Sequence, residues 1–203
     1  MISTDKNIKT IIFDCFGVIA DPILSFWYRD NYVNKGFVDT ELPATLRRFD
    51  LGQLTEDDIF DRFSKYDGVT VDKEIIKIQA DAYTKLNDDL INLIGNLRTC
   101  GYEIVLLTNA NHSYFERKIF VDFPDFKDLF DHIIISSRVK MVKPDLEIFQ
   151  YTLKQIGKNP NETVFIDDNT HNVEAAEKIG IHGHVYSSVN SLIEHLKYLG
   201  VSF

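Results

Sequence analysis

Cysteine is scarce: Cys15 and Cys100 are the only two in 203 residues, and neither sits in a close-spaced pair or beside a Cys/His group. That argues against both a disulfide scaffold and a zinc site. Long apolar runs are missing too. No stretch approaches the ~18 residues that suggest a membrane span, and Met1 to Thr10 lacks the apolar core of a secretion signal. The expected location is the cytoplasm, with no membrane partner. Positive charge is in short supply, 22 Lys and Arg facing 31 Asp and Glu for a net −9. A field of that sign repels polyphosphate backbones, so nucleic acid is not an expected partner. Any phosphate bound here must be small or accompanied by metal. A monomer or weak homodimer is expected.

What is present is ordinary globular composition, 44% apolar and 26% charged, enough for one substantial core and a small accessory subdomain. Short apolar runs rich in β-branched residues occur at Thr10-Phe13, Glu103-Leu107, His132-Ile135 and Thr163-Ile166, with a weaker one at His182-Tyr186. Buried parallel strands read this way. Between them, Leu90-Leu97, Tyr114-Phe120, Leu146-Ile156, Val173-Ile179 and Leu192-Leu199 carry the three- and four-residue apolar spacing of helices packed on a sheet. The pattern predicts an α/β, Rossmann-like, doubly wound parallel sheet. Residues 21 to 87 break the alternation with helical pieces only, at Leu24-Asn34, Glu41-Phe49, Thr55-Ser64 and Asp72-Leu86. The expected division is a core of residues 1–20 and 88–203, with 21–87 an inserted helical cap over the carboxyl ends of the strands, where ligands bind in such sheets.

Four pieces at strand ends carry candidate chemistry. Asp14 ends the first strand and enters a glycine-containing turn, Asp14-Cys15-Phe16-Gly17; a carboxylate there can attack phosphorus and split one hard displacement into two. Thr108, in Leu107-Thr108-Asn109, offers a hydroxyl, and the amides after it can donate to phosphate oxygens. Lys143, in Lys143-Pro144-Asp145, can neutralise both phosphoryl oxygens and Asp14, with Pro144 opening the next helix. Asp167 and Asp168 close the fourth strand. Adjacent like charges are costly without a cation, and oxygen ligands of this kind suit Mg²⁺.

In this order, each at a strand end and with a helical insertion after the first, the pieces resemble the motifs of the haloacid dehalogenase-like hydrolase superfamily. The helical-cap branch carries such an insertion. The fragment Asp50-Leu51-Gly52-Gln53-Leu54-Thr55-Glu56-Asp57-Asp58 is similar to a cap segment of bacterial glucose-1-phosphate phosphatases and of the phosphatase domain of epoxide hydrolases. The resemblance implies a Mg²⁺-dependent phosphohydrolase acting on a small phosphorylated metabolite, with a sugar phosphate as one candidate. By residue, it implies Asp14 as nucleophile and metal ligand, the backbone carbonyl of Phe16 as a second ligand, Asp168 as a direct ligand and Asp167 acting through a water. Thr108 and Lys143 would complete the catalytic set, and Asn109, Phe16 and Gly17 would line the substrate. Asn172 stands where many members carry another acid.

Phe16 departs from the pattern. Most phosphatases of this family place an aspartate two residues after the nucleophile, to protonate the leaving oxygen and later activate water. Phenylalanine does neither, and losing a positioned acid/base costs typically ~10²–10⁴-fold. Three readings follow: a phosphohydrolase with an undemanding leaving group or a substitute acid; a 2-haloacid dehalogenase, which has an aromatic residue here; and a weakly active or inactive ligand-binding homologue. His112 is a candidate substitute acid, since imidazole titrates near neutrality. Cys15 is expected to be buried filler, His182 and His184 to be structural, and the aromatics of Phe26-Tyr32 and Phe60-Tyr66 to be mainly core. Arg47 and Arg48 are expected on a helix surface.

Overall fold

A computed structural model of the chain describes residues 7–66 and 72–203. The first six residues of the Met1–Thr10 segment, and positions 67–71 of the helical stretch, lie outside this range. Five parallel strands, β1 (Thr10–Phe13), β2 (Glu103–Thr108), β3 (His132–Ile135), β4 (Thr163–Asp167) and β5 (His182–Val185), form one sheet in the order β3-β2-β1-β4-β5. The strand expectations hold to within one residue. In register, Phe13 lies between Leu106 of β2 and Ile166 of β4. All carboxyl ends therefore share one edge, and the connections reverse direction at β1 and β4, where a crevice opens above the sheet.

Alternation along the strands explains why both faces are covered. Ile11, Phe13, Ile104, Leu106, Val164 and Ile166 turn to one side, where they meet Leu90, Leu93, Ile94 and Leu97 of α5 (Asp88–Thr99) and Leu192 and Leu196 of α11 (Val189–Tyr198). Ile12, Val105, Leu107 and Phe165 turn to the other and meet α9 (Leu146–Ile156) and α10 (Thr170–Glu177). Fully burying each such side chain contributes roughly 1.5–3 kcal/mol. A charge at Ile12, fully buried on the face covered by α9 and α10, would break this packing.

Between β1 and β2 lie α1 (Ile23–Asn31), α2 (Leu42–Asp50), α3 (Glu56–Phe63) and α4 (Lys73–Asp81), gathered around Trp27, Phe49, Ile59, Phe60 and Phe63. Tyr28 and Tyr66 make ring contacts with Phe63, and Tyr32 joins them through Tyr66, as the aromatic spacing predicts for a core. Helix α3 starts where expected: the Thr55 hydroxyl accepts from Asp58 N, and the Asp58 carboxylate accepts from Thr55 N at 2.7 Å. Helix α4 ends earlier than its periodicity suggests because Leu86 is drawn into an antiparallel bridge with Ala20. Asp21 N donates to Lys85 O and Asn87 N to Ile19 O, so the helical stretch leaves and rejoins the sheet layer at adjacent points.

After β2, the expected single helix at Tyr114-Phe120 is α6 (His112–Tyr114), a π-helical turn (Phe115–Ile119) and α7 (Phe120–Asp122). A short α8 (Ser136–Val139) follows β3. Pro144 does not open α9 as expected; it precedes the N-cap, Asp145, and joins Lys143 through a cis peptide. Among the described residues no helix is long and apolar enough to cross a membrane.

Candidate active site

The crevice above β1 and β4 holds a buried ionic cluster. Asp14 and Asp167 leave their strands side by side, and the Lys143 ammonium reaches both, at 2.8 Å from Asp14 and 2.6 Å from Asp167. Only 3% of Lys143 is exposed, 7% of Asp14 and none of Asp167. Ions so shielded must be paired and hydrogen-bonded to be tolerated. Asp167 meets this fully: one oxygen accepts from Asn169 N at 2.8 Å, the other from Lys143, and Asn172 Nδ2 donates to both at 3.0 Å. The amide at position 172, where the family resemblance implies an acid in many members, is here a donor to Asp167.

Burial pushes the Asp14 carboxyl well above the usual range; Lys143 opposes that shift and Asp167 adds to it. For Lys143, burial works against the charged form, but Asp14 and Asp167 outweigh it and hold its pKa above the ordinary lysine value. Cys15 is fully buried, which raises its thiol pKa well above normal and leaves it the filler expected.

Asp168 is exposed at the rim. Its carboxyl lies against Gly17, whose φ is +92° and at which an added Cβ would meet Asp168 Oδ2 at 2.2 Å. The left-handed backbone calls for glycine, and the missing side chain leaves the space that the Asp168 carboxyl occupies. Desolvation and the neighbouring Asp167 raise the Asp168 pKa. Carboxylate oxygens of Asp14, Asp167 and Asp168 all lie within 4.8 Å of one another. One lysine leaves this trio with uncompensated negative charge, and an all-oxygen donor set suits a hard divalent cation such as Mg²⁺. The turn after Asp14 uses the carbonyls of Cys15 and Ala20 for its own hydrogen bonds and leaves that of Phe16 free of them.

Thr108 ends β2 with its Oγ1 buried and without a hydrogen-bond partner among the described residues. An unpaired buried hydroxyl costs about 1–3 kcal/mol, and a phosphoryl oxygen would remove that cost. Asn109 lines the cavity described below, and its side chain has a further part: it donates to Lys143 O and accepts from Lys143 N, both at 2.8 Å. It fixes the segment that carries the lysine.

Beside these groups a cavity of about 180 Å³ lies between the sheet edge and α1 to α4, lined mostly by apolar side chains including Phe16, Ile23, Leu24, Leu46, Phe49, Ile59, Phe60 and Tyr114. Its acids Glu56 and Asp81 are both engaged by Arg117, at 2.8 and 2.5 Å. His112, the expected substitute acid, does not line it; its ring faces Ser137 Oγ at 3.2 Å. The cavity contains instead Asp50, which enters the sequence reading only as part of a cap-like fragment. Its place at the end of α2, one turn after Leu46 on the helix face that lines the cavity, is the signal that was available. Arg47 points outward to Asp145 at 2.6 Å, and the His184 ring packs at a tilt against His195, 4.7 Å between ring centres, both as surface and structural readings require.

A family model for haloacid dehalogenase-like hydrolases matches residues 8–180. The chain belongs to that family. Among its relatives, the sesquiterpene phosphatase astK of Aspergillus oryzae is 30% identical over 200 residues, spanning 95% of this chain and 97% of that one. The (S)-2-haloacid dehalogenase 4A of Burkholderia cepacia is 22% identical over 86% of this chain and 80% of its own. Among solved structures, a mutant of the HAD family enzyme bt-2542 from Bacteroides thetaiotaomicron, in complex with magnesium and inorganic phosphate, shares the fold with a TM-score of 0.71, 23% identity, and coverage of 90% and 95%. A haloacid dehalogenase-like hydrolase thus has at its strand edge the paired acid and lysine, the further acid and the orphaned hydroxyl found here.

Proposed function

We propose that this protein is a Mg²⁺-dependent phosphohydrolase that cleaves a small phosphomonoester whose organic part is apolar. The observation that carries the reading is the Asp14–Lys143–Asp167 cluster with Asp168 at its rim, a nucleophile held beside a buried cation and an all-oxygen metal cradle. Asp14, the Phe16 carbonyl, Asp168 and, through water, Asp167 would hold the metal, which when bound offsets phosphoryl negative charge and lowers the barrier to attack.

The protein's own groups do the rest. Lys143 orients Asp14 and offsets charge on the phosphoryl oxygens; the Thr108 hydroxyl donates to one of them. Asp14 attacks phosphorus, the bond to the leaving oxygen breaks, and the aspartyl phosphate so formed is hydrolysed by water to phosphate. Leu, Ile and Phe walls give sugar hydroxyls few partners, which moves the substrate from a sugar phosphate toward an apolar ester, as does the likeness to a sesquiterpene phosphatase. An apolar cavity of about 150 Å³ takes benzene. At about 180 Å³ this one suits an aryl or five-carbon prenyl group, and a larger group would need the helices above it to move.

Dehalogenation is the second reading, favoured by Phe16. Against it, an anionic haloacid would meet the repulsion of Asp167 and Asp168, and attack at carbon gives them no task. The test is release of phosphate from dimethylallyl phosphate, benzyl phosphate and sugar phosphates, and of halide from 2-chloropropionate, each with Mg²⁺ or EDTA and with Asp14→Asn as control. Mg²⁺-dependent phosphate release, abolished in the variant and fastest for the apolar esters, is expected. EDTA-insensitive halide release would sink the phosphatase reading.

A further inference from the structure

Phe16 leaves the leaving-group oxygen without the acid that a phosphohydrolase of this kind normally has, and the cavity behind Phe16 contains one unengaged carboxyl. Asp50 is the last residue of α2 and is half-buried in the cavity wall with Phe16 and Asn109. Among the described residues its side chain has no hydrogen bond or ion pair, in contrast to Glu56 and Asp81, which share Arg117. A carboxylate in that position gains nothing for the fold.

Its placement is nevertheless fixed. Ser136 Oγ donates to the Asp50 carbonyl at 2.7 Å, Asn111 Nδ2 donates to Phe49 O and Leu54 O at 3.3 and 3.0 Å, and Lys140 Nζ donates to Gly52 O at 3.2 Å. Residues 49–54 are therefore tied to the segments that follow β2 and β3, and Asp50 is tied with them to the strand edge that carries Asp14.

Resting on the phosphohydrolase reading, we propose that Asp50 is the general acid and base that replaces the missing aspartate at position 16. In the first step Asp14 attacks phosphorus, the bond from phosphorus to the ester oxygen breaks, and the Asp50 proton passes to that oxygen, giving the alcohol and an aspartyl phosphate. In the second, the Asp50 carboxylate takes a proton from water as the water oxygen attacks phosphorus, which returns Asp14 and releases phosphate. The charge environment fits both halves of the cycle. Burial holds the Asp50 pKa up, to about 7, while Lys143 and Arg47 pull it down, so neither form is locked. The carboxyl end of α2 also disfavours negative charge there. The other ionisable groups on the cavity are occupied, Glu56 and Asp81 by Arg117 and the Tyr114 hydroxyl by Thr84.

The test is single-turnover release of the organic product, with Mg²⁺, from benzyl phosphate, whose alcohol leaves poorly, and from 4-nitrophenyl phosphate, whose phenolate needs no proton. Asp50→Asn is expected to slow benzyl alcohol release by ~10²–10⁴-fold and nitrophenolate release by less than about tenfold. Nitrophenolate release also reports that the variant is folded, and Asp50→Glu, which keeps the acid, should retain more of the benzyl reaction than Asp50→Asn. Adding Phe16→Asp to Asp50→Asn should restore benzyl alcohol release. Equal losses on the two esters, or no loss on either, would overturn the assignment of Asp50. If the unaltered protein releases phosphate from no ester, or if Asp14→Asn changes nothing, the phosphohydrolase reading itself fails and the assignment falls with it.

Discussion

The side chain of Asn109 brackets the backbone of Lys143, donating to its carbonyl and accepting from its amide at 2.8 Å each way. The lysine that pairs with Asp14 and Asp167 is thus positioned from β2, across the sheet edge from β4. Asn109→Asp loses the donor and sets a carboxylate against the Lys143 carbonyl, whereas Asn109→Ala loses both bonds. Each is expected to lower kcat by ~10–100-fold, because a small misplacement of an orienting group costs about that much, with a smaller change in KM. Steady-state kinetics on the best phosphate ester checks it. A rise in KM with kcat unchanged would return Asn109 to the substrate contact expected from sequence.

Among the described residues, Lys143 is the only cation paired with Asp14 and Asp167. Lys143→Met keeps the volume but strands Asp14 and Asp167, and removing one partner of a buried pair typically costs ~3–5 kcal/mol. Asn172 and Asn169 continue to serve Asp167, so the loss belongs at the lower end. Urea denaturation at pH 7 should show it. The deficit should shrink toward pH 4, where Asp14 is protonated and no longer needs a counter-charge.

Much of this architecture was legible. The β-branched runs gave β1 and β3 residue for residue, because strands buried on both faces carry a continuous apolar signal. Asp14, Asp167 and Asp168 were legible through their place at strand ends, which a parallel sheet converts into one edge, whereas Lys143 lies beyond α8, in the loop that leads to α9. The clamp of Asn109 on Lys143 was not, since it depends on a side chain reaching the backbone 34 residues away. Nor was Asp50. It sits at a helix end among exposed charges in sequence, and its distinction, a carboxyl without a partner in an apolar wall, exists only after α2 is docked. His112 was misjudged for the converse reason: proximity in sequence to Asn109 says nothing about which way the ring turns once Ser137 caps its loop.

Thr108 presents the clearest conflict between stability and use. Its hydroxyl is buried and unpaired, so Thr108→Val removes an unsatisfied group at nearly constant shape and should stabilise the protein by about 1 kcal/mol. The same change removes a donor from the proposed phosphoryl site. Competitive inhibition by inorganic phosphate should weaken by about tenfold, in line with the loss of ~1.4 kcal/mol of binding. A variant both less stable and unchanged in phosphate affinity would show that the hydroxyl serves the fold.

Gly17 couples the turn after Asp14 to the proposed metal cradle. Gly17→Ala meets two obstacles, a φ of +92° and a Cβ 2.2 Å from Asp168 Oδ2, and the softer one yields: the Asp168 side chain swings away. Backbone strain costs ~1–3 kcal/mol of stability. The Mg²⁺ concentration for half-maximal activity should rise at least as much as in Asp168→Asn, which keeps the backbone unstrained. Titrating Mg²⁺ against thermal stability gives a second readout that does not depend on turnover.

Asp50 supplies the prediction whose direction is least intuitive, and its sign follows from linkage. The folded-state pKa of about 7 lies above the ordinary value of 3.8, so the folded state binds the proton more tightly. Stability from this group is complete below pH ~4 and is lost as pH rises through about 7. At pH 8 the folded protein carries an ionised, unpaired, half-buried carboxylate. A shift of that size corresponds to roughly 2–4 kcal/mol at most, solvent at the cavity mouth reducing it. Asp50→Asn, which removes the charge, should therefore be more stable than the unaltered protein at pH 8, by ~1–3 kcal/mol, with the advantage vanishing near pH 4. Urea midpoints at the two pH values measure this directly. A variant less stable at pH 8 would mean that the carboxylate holds the fold together through a partner, and a group already satisfied in that way would be a poor proton donor.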